Sequence, residues 1–195
     1  GESINTWNMR KWAGVDPATG AGLWRVYYDD LNGNGIFDNA DAPISNMTTY
    51  MAANPGAEVV KTTTDSYANA TQAYTGKSAI PKVRGSFRLN AAYKHFDLTA
   101  QFSYSIGGYV YDGGYALLMN NRDLIGANNW HKDIHNAWKQ FGDVTDVPRL
   151  SSGVASDVNF NAQSTRFLTK ADFLSLNNVR LGYNIPAAFL DKLHL

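Results

Sequence analysis

From Phe96 to Ile106 the chain alternates without a break, with Phe96, Leu98, Ala100, Phe102, Tyr104 and Ile106 on one side and Asp97, Thr99, Gln101, Ser103 and Ser105 on the other. A period of two is the pleat of a β-strand and not the turn of a helix. Gly85 to Tyr93 repeats the pattern, with Phe87, Leu89, Ala91 and Tyr93 against Ser86, Arg88, Asn90 and Ala92. Across the link Lys94-His95 the two stretches, 84–106, predict an antiparallel hairpin with matched faces. A third strand within 166–186 is written in the same code: Val179, Leu181, Tyr183 and Ile185 share one face, Asn178, Arg180, Gly182 and Asn184 the other, and Pro186 stops the ladder. Such a sheet can turn its apolar face to a protein core, as in a sandwich, or to lipid, as in a membrane barrel with a polar lumen.

The connections favour the barrel. The hairpin has a very short link at one end, whereas from Gly107 the chain wanders to about Thr165 before it settles into strand again. Short turns on one side and long loops on the other are the asymmetry of outer-membrane barrels. The fold class expected is all-β, part of a large antiparallel transmembrane β-barrel with long extracellular loops. Within 107–165, Asp133 to Phe141 predicts a helical turn or two. Upstream, residues 1–80 read as loop and strand ends, with a turn at Asp16-Pro17-Ala18-Thr19-Gly20, a short strand at Leu23 to Tyr28, and a polar run over 44–80 expected as a long surface loop. Residues 187–195 predict a short turn, with a further strand expected beyond Leu195. Tyr109 and Tyr111 fall on the opposite parity from Tyr104 and Ile106. A bulge at Gly107-Gly108 would return them to an aromatic girdle, the reading adopted, whereas a continuing strand would turn them inward to stack on sugars.

Composition removes several alternatives. Lys plus Arg and Asp plus Glu are 17 each, so no basic field argues for nucleic acid. There are no cysteines, which excludes disulfides and thiol chemistry. No apolar run is long enough for a membrane helix, which leaves barrel strands unaffected.

One local motif carries chemistry. Asp30-Leu31-Asn32-Gly33-Asn34-Gly35-Ile36-Phe37-Asp38-Asn39-Ala40-Asp41 has the spacing of a twelve-residue calcium loop. Asp30, Asn32, Asn34, Asp38 and Asp41 supply side-chain oxygens, Ile36 a carbonyl, and Gly35 the sharp turn at the sixth position. Position 12 is Asp41 and not the usual bidentate Glu, and Ala42-Pro43 cannot open an exit helix, so the loop reads as a structural clamp and not a signalling EF-hand. His131 and His135 have i, i+4 spacing but no third ligand and no adjacent Glu, and read as ordinary loop histidines. Asp143, Asp146 and Asp157 are scattered carboxylates, and neither a nucleophile elbow nor a phosphate loop is present. Nothing in the sequence points to an enzyme. The alternative to a transporter is a secreted, calcium-stabilised β-sandwich that binds carbohydrate, which fits the long gap from Gly107 poorly.

The segment Ser164 to Pro186, STRFLTKADFLSLNNVRLGYNIP, resembles the C-terminal signature of the SusC/RagA class of TonB-dependent outer-membrane transporters of Bacteroidetes. Trp12 to Pro17 with Thr19-Gly20, the Asp-rich loop from Asp29 to Asp38, Pro81 to Gly85, Trp138, Gly142-Asp143 and Pro148-Arg149 are similar to that family in the same order. The resemblance implies that 1–195 is a C-terminal portion of the barrel, without the plug domain that contacts TonB. It implies an outer-membrane location, a SusD-like surface lipoprotein as partner, a dimer of SusCD pairs, and import of glycans or peptides. By that topology the Lys94-His95 turn is periplasmic, while 107–165 and the calcium loop are extracellular. Lumen-facing candidates are Arg88, Asn90, Asp97, Thr99, Gln101, Ser103, Asn178 and Arg180, and substrate contact is expected from Arg88, Arg180, Tyr109, Tyr111 and Trp130.

Overall fold

The computed structural model describes residues 2–120, 129–150 and 159–186. The expected turn at 187–195 and Asp157 lie outside them. The chain divides into two compact units, one from the N-terminal stretch to Lys77 with Tyr111–Thr169, the other Ser78–Val110 with the chain from Lys170.

The second unit is the sheet that the alternation predicts. Strands β7 (Val83–Tyr93), β8 (Phe96–Ile106) and β11 (Phe173–Tyr183) pair antiparallel in the order β11-β8-β7. Along one face of β7 and β8 apolar or glycine residues pair: Val83 faces Ile106, Gly85 faces Tyr104, Phe87 faces Phe102, Leu89 faces Ala100, Ala91 faces Leu98 and Tyr93 faces Phe96. Phe87 and Phe102 stack with centroids 4.9 Å apart. The link is two residues long, and Lys94 takes φ 55 to make it, a left-handed conformation that costs a non-glycine residue about 1 kcal/mol. Each strand has 11 residues, about 36 Å at 3.3 Å per residue, which at a tilt near 45° rises about 25 Å, the height of an outer-membrane apolar band.

In β11 the apolar residues switch from even to odd numbers between Leu176 and Val179. The structure places a one-residue bulge there: Leu176 pairs with Phe102, Asn178 with Gln101, and Asn177 is the extra residue. Leu174, Leu176, Val179, Leu181 and Tyr183 therefore stay opposite the apolar residues of β8. This face is exposed, with Leu89 at 58%, Leu181 at 70% and Tyr93 at 71%. The aromatic row that does form on it, Tyr93, Phe96 and Tyr183, is at the Lys94-His95 end.

The first unit is built round β3 (Gly22–Asp29), which pairs with β2 (Trp12–Val15), β4 (Ala42–Pro43) and β5 (Val60–Thr64); β1 (Thr6–Arg10) pairs with β6 (Gln72–Ser78). Burial alternates along β3, with Gly22, Trp24, Val26 and Tyr28 inside. Trp24 meets Trp12 edge-on at 5.4 Å and packs with Ala70, Phe160 and Tyr67. A second cluster gathers Ala116, Met119, Ile134, Ala137, Val147 and Phe167.

Three expectations are corrected. The polar run 44–80 is not one loop: it holds α1 (Met47–Ala53), capped by the Asn46 side chain, then β5 and β6. Thr and Lys make β5 a strand because β-branched threonines fit a ladder against β3 without needing an apolar face of their own. The long stretch from Gly107 contains β9 (Tyr109–Tyr111), α2 (Gly113–Leu118) and a 3-10 turn at Lys132–Asn136, shorter than the helix expected over 133–141. The strand expected over 166–186 is broken: a 3-10 turn at Thr165–Phe167 and β10 (Leu168–Lys170), which pairs with β9, precede β11. Asp172 causes the break, since its carboxylate turns back to accept the Gly107 amide at 2.6 Å.

Candidate functional site

The polar face of the three-stranded sheet is a hydrogen-bonded surface and not merely a wet one. Thr99 donates to the Asn90 carboxamide at 3.0 Å, Ser103 donates to Asn177 at 3.0 Å, and Arg88 reaches Gln101 at 3.4 Å. Arg180 pairs with Asp97 at 3.4 Å. The register places Asn90 opposite Thr99 and Arg88 opposite Gln101, whereas Arg180 faces Thr99 and reaches diagonally to Asp97, and Ser103 is met by the bulge residue Asn177. Arg88 and Arg180 are each tethered to β8 while most of the Arg180 side chain, 73%, stays exposed.

The loop from Asp30 to Asp41 is folded by its own side chains. Asp30 accepts the amides of Asn34 and Gly35 at 3.2 and 2.7 Å, Asn34 accepts the Ile36 amide at 2.7 Å, and Asp38 accepts the Ala40 amide at 2.7 Å and the carboxamide of Asn34 at 3.0 Å. Gly33 and Gly35 hold φ 71 and 72, which only glycine adopts cheaply. The Ala40 amide, followed by the Asn34 carboxamide, holds the Asp38 carboxyl below its ordinary value. The donor set is all oxygen, as a hard cation requires, and Asp41 Oδ1 is buried without a hydrogen-bond partner. Among the described residues no three carboxylate, imidazole or thiol side chains gather into a metal-binding group. A cation here would rely on carboxamide and carbonyl oxygens as much as on charge.

The residues around 130–149 dock on the turn at 16–20. The Trp138 indole donates to the Pro17 carbonyl at 3.1 Å, the Gly142 amide donates to the same oxygen at 2.8 Å, and Arg149 donates from its guanidinium to the Thr19 carbonyl at 2.6 Å. Gly20, at φ 74, lies against the Trp138 ring, where a side chain would collide. Asp16 ties the turn by accepting from Thr19 Oγ1 at 2.7 Å and the Ala18 amide at 2.9 Å, and these bonds, the hydroxyl first, hold its carboxyl below the usual range. His131 caps the 3-10 turn by accepting the Asp133 amide. Beside it lies a cleft of about 860 Å³ lined by Tyr115, Asp133, His135, Asp143, Asp146 and Arg166. Arg166 lies over the Trp12 ring at 4.9 Å and donates to the Phe160 carbonyl, and burial lowers it to about 10, with Asp146 opposing the shift.

Of the substrate candidates, Arg88, Arg180 and Tyr109 belong to the sheet unit and Tyr111 and Trp130 to the other. Tyr109 and Tyr111 lie on a separate short strand, β9, which pairs with β10, so the chain neither continues β8 nor returns to it through a bulge. Strand β8 ends at Ile106, and Tyr111 packs edge-on against Phe167 at 6.3 Å. Trp130 is 40% exposed and lines a cleft of about 680 Å³ with Trp138, His135, Lys139, Arg149 and Leu150. Trp138, Arg149 and Arg166 are absent from the sequence-based candidates; the Trp138 and Arg149 positions were visible there only as points of family likeness.

No family model matches the chain. Over 162 residues, 81% of this chain, it is 28% identical to "TonB-dependent receptor P3" of Formosa agariphila, and over 109 residues it is 28% identical to "TonB-dependent receptor P39" of the same organism. The chain spans 15% and 10% of the lengths of these relatives. Among solved structures, a RagAB peptide transporter matches 94% of this chain at 27% identity with a TM-score of 0.64, and a RagAB peptide importer in its open-open state matches 95% at 26% identity with a TM-score of 0.57. The chain spans 17% and 16% of those chains.

Proposed function

We propose that this chain, a SusC/RagA-like segment of a TonB-dependent transporter barrel, belongs to a protein that imports oligosaccharides or oligopeptides across the outer membrane and makes or breaks no covalent bond. The observation that carries the reading is the sheet of β7, β8 and β11: three strands of membrane-spanning length with one continuous exposed apolar face and one hydrogen-bonded polar face. A carbohydrate-binding sandwich would cover that apolar face with a second sheet. The relatives are named as TonB-dependent receptors and the matching structures as peptide transporters, which supports uptake over catalysis. In this reading the apolar face meets lipid, Arg88 and Arg180 face the lumen, and TonB acts through a plug region elsewhere in the protein. A SusD-like lipoprotein covers the outer side in a dimer of paired subunits. Asp30, Asn32, Asn34, the Ile36 carbonyl, Asp38 and Asp41 hold a structural calcium that fixes the 30–41 loop.

Two neighbouring substitutions test the placement of the sheet. In the full-length protein Phe102→Arg puts a charge toward lipid and is expected to cost about 2 to 4 kcal/mol, whereas Ser103→Arg on the opposite face costs much less. The measurement is the fraction of folded barrel extracted from outer membranes, judged by its heat-modifiable mobility. Equal effects at the two positions, or a full-length protein freely soluble without detergent, would remove the transporter reading.

A further inference from the structure

Strand β3 has two faces, and only one is spent on the core. Trp24, Val26 and Tyr28 are buried, while Arg25 and Tyr27 point the other way, half-buried. On that side lies a comparatively enclosed pocket of about 280 Å³, lined by Lys11, Arg25, Lys77, Tyr27 and Tyr74 with a wall of threonines. Among the described residues its lining has three cationic side chains and no acidic one. That imbalance is unusual in a chain whose charges cancel overall. The backbone fixes it: the Arg25 amide donates to the Lys11 carbonyl at 2.8 Å, so the two side chains spring from adjacent, hydrogen-bonded positions. The threonines are occupied in holding the walls. Thr71 accepts the Tyr27 amide at 2.8 Å and Thr75 donates to the Trp7 carbonyl at 3.0 Å. Tyr74 borders the pocket from β6 at 39% exposure, on the opposite parity from Ala73 and Thr75.

We infer that this pocket binds one acidic sugar residue of an oligosaccharide, its carboxylate or sulfate ester taken by Lys11 and Arg25 and its ring laid against Tyr27. Charge and shape argue together. An oxyanion facing a guanidinium and an ammonium with no competing carboxylate gains charge-assisted hydrogen bonds, the strongest of the ordinary kind. The Tyr27 phenol ring, on the same face of β3 as Arg25, offers the flat, amphipathic surface that sugar rings use. The volume suits a single ring-sized group and is at the small end for ligand sites. An acidic peptide is the competing ligand, since β1 and β6 form a two-stranded sheet and each has an edge without a strand partner among the described residues, so the peptide arm of the test separates the two. The inference rests on the transport reading and narrows its substrate to the acidic glycans.

The test uses the complete transporter that contains this chain, purified in detergent and titrated calorimetrically with oligogalacturonate, a sulfated galactan oligosaccharide, the desulfated galactan and a glutamate-rich peptide. At least one acidic sugar is expected to bind about tenfold or more tightly than the neutral one, with the preference shrinking as salt is added. Preference for the carboxylated or for the sulfated sugar supports the pocket equally and says which group it takes. The double variant Lys11→Gln, Arg25→Gln should bind the acidic sugars no better than the neutral one, while Arg25→Lys keeps most of the preference. If the double variant does not fold, the salt dependence and the Arg25→Lys comparison decide. Equal binding of neutral and acidic sugars, a preference that survives in the double variant, tighter binding of the peptide, or no binding of any sugar would each overturn the inference. TonB-dependent uptake of the neutral sugar or the peptide by cells would then leave the transport reading standing, whereas uptake of no probe would remove both.

Discussion

Asp16 is a small residue with a large reach, because the turn it ties is the surface on which Trp138, Gly142 and Arg149 dock. Its carboxyl is held below the ordinary value of 3.8 by the Thr19 hydroxyl and then the Ala18 amide. A carboxylate with a depressed folded-state pKa contributes stability that is present above its unfolded value and lost as pH falls through the folded one. The unfolding midpoint of wild type should therefore exceed that of Asp16→Ala at neutral pH, and the gap should close as the medium is acidified below the ordinary carboxyl value. A gap independent of pH would mean that the side chain acts through packing alone. Residues of this kind are hard to read from sequence. Asp16-Pro17-Ala18-Thr19-Gly20 announces a turn, but nothing local says that an indole more than a hundred positions later will lie on Gly20.

Among the elements, the hairpin β7-β8 was legible because its period of two is unbroken and its partners are adjacent in sequence. Strands β5 and β6 were not, since their stability comes from the β3 and β1 ladders and leaves no apolar stripe to find. Strand β11 lies between these cases. The parity change from Leu174 and Leu176 to Val179, Leu181 and Tyr183 is written in the letters, and its meaning, a bulge at Asn177, is clear only once β8 lies beside it. Because a one-residue slip exchanges the faces of a strand, deleting Asn177 should turn one half of β11 the wrong way and abolish the folded, heat-modifiable barrel of the full-length protein. Asn177→Ala keeps the residue count and loses only the bond to Ser103, so it should assemble with a loss of about 1 kcal/mol. Assembly of the deletion variant at wild-type yield would show that the bulge does not set the register. The candidate binding residues were the least legible part. Arg25 and Tyr27 alternate with Trp24, Val26 and Tyr28 inside LWRVYY, yet that signal gains weight only when a second cation, Lys11, is placed beside it.

For the whole molecule, a calcium-filled 30–41 loop makes a local prediction with a global origin. A ligand that binds only the ordered loop lowers the open population in proportion to one plus its concentration over Kd. Amide exchange across 30–41 should thus slow about a hundredfold at a hundredfold excess of calcium over Kd in the full-length protein. It should return to its starting rate with chelator and stay unchanged in Asp30→Ala. Equal exchange rates with calcium and with chelator in wild type would remove the ion from the proposal.

The hydrogen bond from the Asp112 amide to the Phe167 carbonyl, 2.9 Å long, closes the long stretch between the sheet strands from within its own unit. Its consequence is kinetic. Strand β11 must find β8 across a segment whose closure entropy would be large were it a free coil, and such sequence-distant pairings are the slow steps of β folding. The cluster around Phe167 and the Asp112 to Phe167 bond bring the two ends of this stretch together, so the entropy left to close is that of the few residues outside the bond. The stretch between β8 and β11 is therefore a much shorter loop in space than in sequence.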